Sequence, residues 1–372
     1  MNQGLPQSAT GWSHFGTGWP EPARRDRHLR YSADAIAGWE PAPHQVGGSA
    51  VVRKTSVVLI ALGAFLIVLA PMVRWYAYPR VAVAPAAQKS VTTLVGPGAT
   101  IFDINTFKEI TTDLTTKVRT IGDTKAADKA GNGTVVYVNS TSTKSSDGVM
   151  RSRDVERMAF NQRTGAAVNC CGEFLSNTEG VETPIKHQGL VAIFPIPTDK
   201  KTYPFWDSTL KSATPIKYTG TGTVEGVDVY TFENTTPPTK VGTQEVPLNL
   251  LGLDGTENVT ADEMYSVARK LWVEPNTGVI LKRSEKVLDT LNYDGQPRLT
   301  LTKVDTQYDA NTVKHNADKY GSEGRMLHLV RSTVPLVSLV LGVLLLFLGL
   351  TLARRREHAS GEHSHEFEEA TT

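Results

Sequence analysis

The sequence predicts a mainly β (α+β) extracytoplasmic domain flanked by two transmembrane α-helices. Two observations predict the helices: residues 55–73 and residues 332–353 contain no charged side chain. A third observation predicts the β domain, because residues 74–331 contain repeated β-branched, alternating runs that are separated by glycine-containing turns.

The length of each uncharged run supports a membrane span. At about 1.5 Å per residue, the first run extends roughly 28 Å and the second about 33 Å, close to the bilayer core of about 30 Å. A buried core helix is the alternative for either run. Core helices of this length are seldom apolar on every side, so the spans are favoured.

The first run begins far from the N-terminus, where a cleaved signal peptide would lie. Residues 1–54 precede it, and they are rich in Gly, Pro and Ala with scattered charges and no steady period. That composition predicts a disordered segment. We therefore expect a retained anchor, and the small residues at 82–87 keep cleavage open as the alternative.

Positive charge near the spans predicts their orientation. Arg354–Arg356 directly follow the second run and predict a cytoplasmic tail at residues 354–372. Two spans then place residues 1–54 in the cytoplasm and residues 74–331 outside it. The sequence thus predicts a multi-pass protein of the cytoplasmic membrane. Aromatic residues that suit the outer interface follow the first run: Trp75, Tyr76 and Tyr78.

Turn chemistry predicts how residues 74–331 pair. Thr164–Gly165, Glu225–Gly226 and Pro275–Gly278 each lie between two strand-like runs. Glycine adopts the positive φ of such turns without steric cost, so we expect antiparallel hairpins. The run GLVAIFPIP, residues 189–197, predicts a buried strand that stops at its prolines.

Helical signals are fewer. TADEMYSVA, residues 260–268, predicts a turn of helix, and residues 309–330 predict a helix that breaks near Gly321 and Gly324 before the second span. The sequence leaves open whether residues 74–331 form one domain or two subdomains.

The cysteines, Cys170 and Cys171, are neighbours in the chain. Outside the cytoplasm they could form a vicinal disulfide that stiffens the turn before Gly172, and two separate thiols are the alternative. A redox pair of the C-x-x-C type is not indicated.

The passage IFPIPTDKKTYPFWDSTL, residues 193–210, combines prolines, lysines and a cluster of aromatic residues. Two interpretations stay open. The aromatic side chains fill the edge of the core, or they form a ligand-facing platform. The platform residues would be Tyr203, Phe205 and Trp206.

Several familiar motifs are missing from the sequence, and their absence argues against some classes of protein. The sequence lacks the G-x-S-x-G, H-E-x-x-H, P-loop and dinucleotide-binding patterns, so we expect no enzyme and no cofactor. A net charge of +1 gives no bulk attraction for nucleic acid. No metal site is predicted, since two adjacent cysteines cannot enclose zinc and the acidic stretch at 252–263 lacks calcium-loop spacing.

Three passages carry a resemblance to a known family: FPIPTDKKTYPFWDSTL, YTGTGTVEGVDVYTFE and ARKLWVEPNTGVILKRSEKV. With the two-span layout, they resemble the actinobacterial family of unknown function labelled the porin PorA family. The resemblance covers roughly residues 55–352. It implies one span at each end of an extracytoplasmic domain. The family has no established catalytic residues, so the resemblance assigns none to this chain.

Three functions follow as hypotheses. The first is a non-enzymatic envelope protein that binds or passes lipid, or that organises envelope proteins; the same layout, without shared motifs, describes class B scavenger receptors, which handle lipid. The second is a porin or channel component, as the family label implies. The third is an extracytoplasmic hydrolase. The expected partners are the lipid bilayer and envelope lipids or proteins.

Overall fold

The structure is a computed structural model that describes residues 48–177 and 180–365, with side chains described between residues 54 and 355. Most of the segment 1–54 that we predict to be disordered lies outside the described residues. The last part of the predicted tail 354–372 also lies outside them.

One antiparallel sheet dominates the described residues and confirms the mainly β class. Its strand order is β6-β5-β4-β3-β2-β1-β12-β11-β10-β9-β8-β7, so two six-stranded meanders meet where β1 pairs with β12. The strands are β1 (Lys89–Asp103), β2 (Lys108–Gly122), β3 (Thr134–Ser145), β4 (Met150–Asn161), β5 (Phe174–Ser176), β6 (Glu182–Pro184), β7 (Tyr203–Asp207), β8 (Ser212–Val224), β9 (Val227–Pro247), β10 (Asn258–Val273), β11 (Ile280–Tyr293) and β12 (Gln296–Tyr308). A short helix, α1 (Thr124–Ala130), and a 3₁₀ turn, Leu248–Leu251, lie between strands.

The predicted hairpin turns organise the second meander. Glu225 and Gly226 have φ angles of 49° and 76° and join β8 to β9. The Pro275–Gly278 turn joins β10 to β11. Along β10 the buried residues alternate, as expected for a strand with one face on the core. They are Tyr265, Val267, Arg269, Leu271 and Val273.

Residues 189–197 bridge the two meanders, but they do so as a buried loop rather than as the predicted strand. Leu190 pairs with both six-stranded arms of the sheet. It bridges to Ala166, beyond the end of β4 in the first arm, and to Phe205 in β7 of the second. Its N–H donates to the Pro204 carbonyl at 2.8 Å, and its carbonyl accepts from the Trp206 N–H at 2.9 Å. Successive prolines prevent a longer ladder because they lack the donor.

Two turn glycines hold this loop in place. A Cβ on Gly165 would lie 2.1 Å from the Ile193 carbonyl oxygen, and one on Gly278 would lie 2.1 Å from the Phe194 carbonyl oxygen. Both glycines also have positive φ. Only glycine permits such close approach, so the same residues that turn the hairpins also seat the loop.

Long helices lie at both ends of the described chain. The first runs through α2 (Gly48–Pro71), a π-helical turn (Met72–Ala77) and α3 (Tyr78–Val81). The last runs through α4 (Ala310–His328), a second π-helical turn (Leu329–Thr333) and α5 (Val334–His365). Within them, residues 54–81 and 310–355 are long and apolar enough to cross a membrane, judged by length and composition.

Small residues bring α2 and α5 together. A Cβ on Gly63 would lie 2.7 Å from the Leu346 backbone nitrogen, and one on Gly342 would lie 2.9 Å from the Gly63 carbonyl oxygen. A Cβ on Gly349 would lie 2.7 Å from the Ile60 side chain. The helices therefore contact each other through their backbones, as is typical of helix pairs in membranes.

Two helical predictions differ from the structure. Residues 260–268, predicted as a helical turn, lie inside β10, where pairing with β9 and β11 overrides the local signal. The helix at 309–330 does not break at Gly321 or Gly324. Instead, these glycines allow α4 to approach Val227 and Glu274, whose side chains would lie 2.5 Å and 2.4 Å from added Cβ atoms.

Candidate functional site

The sheet and α4 enclose a cavity of about 470 Å³. We call it the sheet–helix cavity. Its volume falls within the roughly 300–1,000 Å³ of small-molecule sites. Most of its lining residues come from three parts of the molecule. Strands β1 to β3 contribute Ser90, Thr92, Leu94, Val118, Thr120, Tyr137 and Asn139. The end of the first helix and the segment after it contribute Val81, Val83, Ala84 and Pro85, and the loop 189–197 contributes Val191, Ala192, Ile193 and Ile196. Helix α4 contributes Asn316, Tyr320, Glu323, Met326 and Leu327.

The cavity reaches the surface beside the long apolar helices. Val81 ends the first helix and is 56% exposed, and Met326 lies near the end of α4 and is 67% exposed. Both line the cavity. The mouth is therefore apolar at these two positions, with the exposed Glu323 nearby on α4, and it lies next to the two segments that are long enough to span a membrane.

The cavity lining combines apolar residues with polar ones, and several of the polar side chains have hydrogen-bond partners. The Tyr137 hydroxyl donates to the Pro85 carbonyl at 2.7 Å. The Gln88 side-chain amide donates to the Tyr320 hydroxyl at 3.4 Å. Burial raises the pKa of Tyr137, so its hydroxyl stays protonated at every physiological pH.

Arg283 and Tyr308 line the cavity away from Met326, because Tyr308 precedes the start of α4. The Arg283 Nη2 donates to both oxygens of Glu285, at 2.7 and 2.8 Å. Its Nε is buried and has no partner among the described residues. The cavity thus has a cationic residue in its lining, away from Met326.

Arg283 is the end of a buried chain of charges. Glu285 also accepts from Arg269, whose Nη2 donates to Asp207 at 2.9 Å. Although burial opposes ionisation of Glu285, the guanidinium groups of Arg283 and Arg269 lower its pKa to about 2. Two cations and two anions therefore balance, and removing the buried Arg269 would cost about 3–5 kcal/mol by leaving Asp207 and Glu285 without this partner.

A second buried network links the two arms of the sheet. The His187 side chain is fully buried; its Nδ1 lies 2.9 Å from Glu173 and its Nε2 lies 3.1 Å from Glu156. The indole of Trp206, in β7, also donates to Glu156 at 2.8 Å and packs edge-on against the imidazole. Burial lowers the pKa of His187, but the bonds to Glu156 and Glu173 outweigh it and raise the pKa to about 9.

Comparison with known proteins assigns the family. The model of the family described as "Porin PorA" matches residues 55–351, which include most of both long helices and the whole sheet. The chain belongs to the porin PorA family. The resemblance drawn from the sequence is thereby confirmed.

Two relatives named porin PorA match this PorA-family chain at lower coverage. The protein from Corynebacterium resistens is 24% identical over 49% of this chain and 60% of its own length. The protein from Corynebacterium amycolatum is 26% identical over 37% of this chain and 44% of its own length. The chain therefore spans less than two thirds of either relative.

The predicted aromatic platform of this PorA-family protein lies in the interior. Tyr203 and Phe205 pack against Phe194 and Phe232, and Phe205 also lines the sheet–helix cavity. Trp206 points to the other face, toward His187. The structure thus brings one of the three aromatic residues to the cavity, and a ligand-facing role for the cluster stays a prediction.

The neighbouring cysteines do not line the sheet–helix cavity and lie beside α1. Cys170 and Cys171 are joined through their sulfur atoms and line a separate surface hollow with Lys129 and Asn132. Arg157 donates to the Cys171 carbonyl at 3.0 Å. The disulfide in the cell stays a prediction, which a chemical test below addresses.

Sequence reasoning missed Arg283, Tyr308 and His187 as site residues. An arginine and a glutamate two positions apart on one strand face share a side of the sheet, which is a signal for Arg283 and Glu285. No comparable signal exists for His187, because its partners come from distant positions. Among the described residues, no group of three or more His, Cys, Asp or Glu could hold a metal ion.

Proposed function

We propose that this chain is a two-pass membrane protein of the cell envelope whose sheet domain lies outside the cytoplasmic membrane and binds the apolar chain of a lipid without catalysing a reaction. The observation that carries the proposal is the sheet–helix cavity, whose mouth at Val81 and Met326 adjoins the apolar helices. A lipid chain that leaves the bilayer beside these helices would meet an apolar opening.

The exposed surface of the helices supports the two spans. Val57 and Phe65 on the first helix are each 60% exposed, and Leu336 and Phe347 on α5 are 63% and 68% exposed. Water would penalise this much contiguous apolar surface, whereas lipid tails would cover it. Trp75, at the end of the first helix, is 75% exposed and suits the interfacial layer.

The buried histidine network argues against hydrolysis. His187 would be the natural general base, but its side chain is fully buried and its pKa of about 9 makes it a cation at neutral pH. A general base must be unprotonated and must reach its substrate. The histidine therefore supports a structural role, joining β4 to β7.

Photo-crosslinking of the full chain tests lipid binding directly. The probe is a fatty acid with a diazirine near the middle of its chain, added to purified protein in detergent and located by peptide mass spectrometry. Lipid that merely surrounds the helices labels only the spans. Binding in the cavity additionally labels the peptides that contain Ser90–Leu94 and Val191–Ile196.

A pair of variants on β1 makes the test specific. Thr92 faces the cavity, and Val91 faces away because side chains alternate along a strand. Thr92→Phe fills part of the cavity and is expected to abolish labelling of the lining peptides. Val91→Phe adds a ring of the same size on the 58% exposed face and should leave labelling intact. Labelling confined to the spans in the unmodified protein would refute the proposal.

A channel is the second candidate, and the names of the two Corynebacterium relatives favour it. Purified full-length protein in planar bilayers tests it. Reproducible conductance steps that vanish when α2 and α5 are altered would support a pore, and silent bilayers with correctly folded protein would oppose it.

A further inference from the structure

Arginine side chains gather where the sheet domain meets the two long helices. Arg74 lies in the first π-helical turn and Arg331 in the second, and the Arg74 guanidinium donates to the Arg331 carbonyl. Arg163 comes from the turn after β4. All three guanidinium groups lie within electrostatic range of the Tyr78 hydroxyl. The Arg163 carbonyl accepts from the N–H of Ile196, which packs in the same apolar cluster as Tyr78. Residues from three distant parts of the chain therefore bring positive charge near this hydroxyl.

The Tyr78 hydroxyl is itself unusual. The residue is only 6% exposed, and its ring packs in an apolar cluster with Ala82, Ile193 and Ile196. The hydroxyl is buried and has no hydrogen-bond partner among the described residues. Buried hydroxyls are normally paired, so this donor points to a ligand oxygen at this place.

The charges of the three arginines are not neutralised within the described residues. None of them belongs to an ion pair there, whereas Arg151, Arg157, Arg269 and Arg283 do. Glu274 is the one carboxylate that also acts on the Tyr78 hydroxyl. Its oxygens already accept bonds from Asn276 and Thr277, at 2.7–3.1 Å. The cluster therefore keeps a positive charge that an anion would balance.

We propose that Arg74, Arg163 and Arg331, with the Tyr78 hydroxyl, bind the phosphate group of an anionic phospholipid. Guanidinium groups bind phosphate oxygens through paired, charge-assisted hydrogen bonds, and the tyrosine supplies a further donor. The cluster lies at the ends of the apolar helices, which is the level of the phosphate layer if the helices span the bilayer. The proposal rests on those spans but not on occupancy of the sheet–helix cavity.

Native mass spectrometry of the full chain in detergent tests this site. The probes are phosphatidylglycerol and phosphatidylcholine with identical acyl chains, added in equal amounts. We expect the protein to retain phosphatidylglycerol in preference. Arg74→Gln with Arg331→Gln should lower that preference at least tenfold, since each lost charge-assisted bond weakens binding by about that factor. Tyr78→Phe should lower it less and preserve the fold.

Arg80 provides the matched control. It lies in the same region, but its guanidinium is stacked 3.6 Å above the Tyr76 ring. Arg80→Gln removes one positive charge and should leave the preference unchanged. If Arg80→Gln lowers the preference for phosphatidylglycerol as much as the Arg74 and Arg331 variant does, the preference depends only on general surface charge. That result would overturn the site.

Competition identifies the source of the phosphate. Inorganic phosphate at millimolar concentration is expected to leave phosphatidylglycerol bound, because the lipid chains add to its affinity. Complete displacement of phosphatidylglycerol would refute a lipid ligand and assign the site to free phosphate. A failure here is distinct from a failure of lipid binding in the cavity, since diazirine labelling of the β1 peptide does not depend on Arg74 or Arg331.

Discussion

The buried His187 makes the stability of this protein depend on pH. Two carboxylates hold the imidazole as a cation, and they raise its pKa from the ordinary 6.5 to about 9. Because the folded protein binds this proton more tightly than the unfolded chain does, the stabilisation is complete below pH 6.5. It is lost as the pH rises through 9.

The size of the effect follows from the two pKa values. The difference between 6.5 and about 9 corresponds to about 3 kcal/mol of the free energy of unfolding. The side chain is fully buried, so solvent does not screen the interaction. For a domain of this size, about 3 kcal/mol shifts the unfolding temperature by roughly 6–12 °C.

Thermal unfolding of the full chain in detergent, followed by intrinsic fluorescence, measures this shift between pH 6 and pH 9.5. The matched variant is His187→Gln, which keeps a polar side chain but cannot titrate. It should be less stable at pH 6 and should lose the dependence on pH in this window. An unfolding temperature that is constant for the original protein, or one that falls equally in the variant, would refute the reasoning.

Three other sites give separate measurements. Gly342→Leu should destabilise the pair of long helices by about 1–3 kcal/mol, because its backbone contact leaves no room for a side chain, whereas Val343→Leu at the exposed neighbouring position should change the unfolding temperature little. Burial, with the nearby Glu263, raises the pKa of Asp289 from 3.8 to about 7. The protonated side chain therefore contributes to the free energy of unfolding below pH 4, and this contribution is lost as the pH rises through 7. Asp289→Asn should remove the corresponding decline in unfolding temperature. Alkylation of the denatured, unreduced protein should leave Cys170 and Cys171 unlabelled, and labelling before reduction would show free thiols.

Local chemistry made part of the fold predictable. The turns at Glu225–Gly226 and Pro275–Gly278 follow from glycine at positive φ, which is a property of a few residues. The contact between β1 and β12 has no such signal, because it joins residues about two hundred positions apart. The sheet–helix cavity depends on that contact and on α4, so its lining could not be read from the sequence.

Buried charge was the other feature that sequence reasoning could not place. Arg269 occupies an inward position on β10, where alternation predicts an apolar residue, and it is only 5% exposed. Its partners Asp207 and Glu285 come from β7 and β11. An arginine in a strand is usually exposed, so its burial becomes apparent only when all three strands are assembled.

The packing of the two long helices constrains any pore that this chain could form. Gly63 and Gly342 bring the backbones of α2 and α5 into contact, which leaves no space for a side chain or for water at these positions. The uncharged runs 55–73 and 332–353 also offer no ionisable side chain to line an aqueous path. Conduction through these helices would therefore need several copies of the chain around a common axis. Such conductance should rise steeply with protein concentration, whereas loading of the sheet–helix cavity with lipid should remain one event per chain.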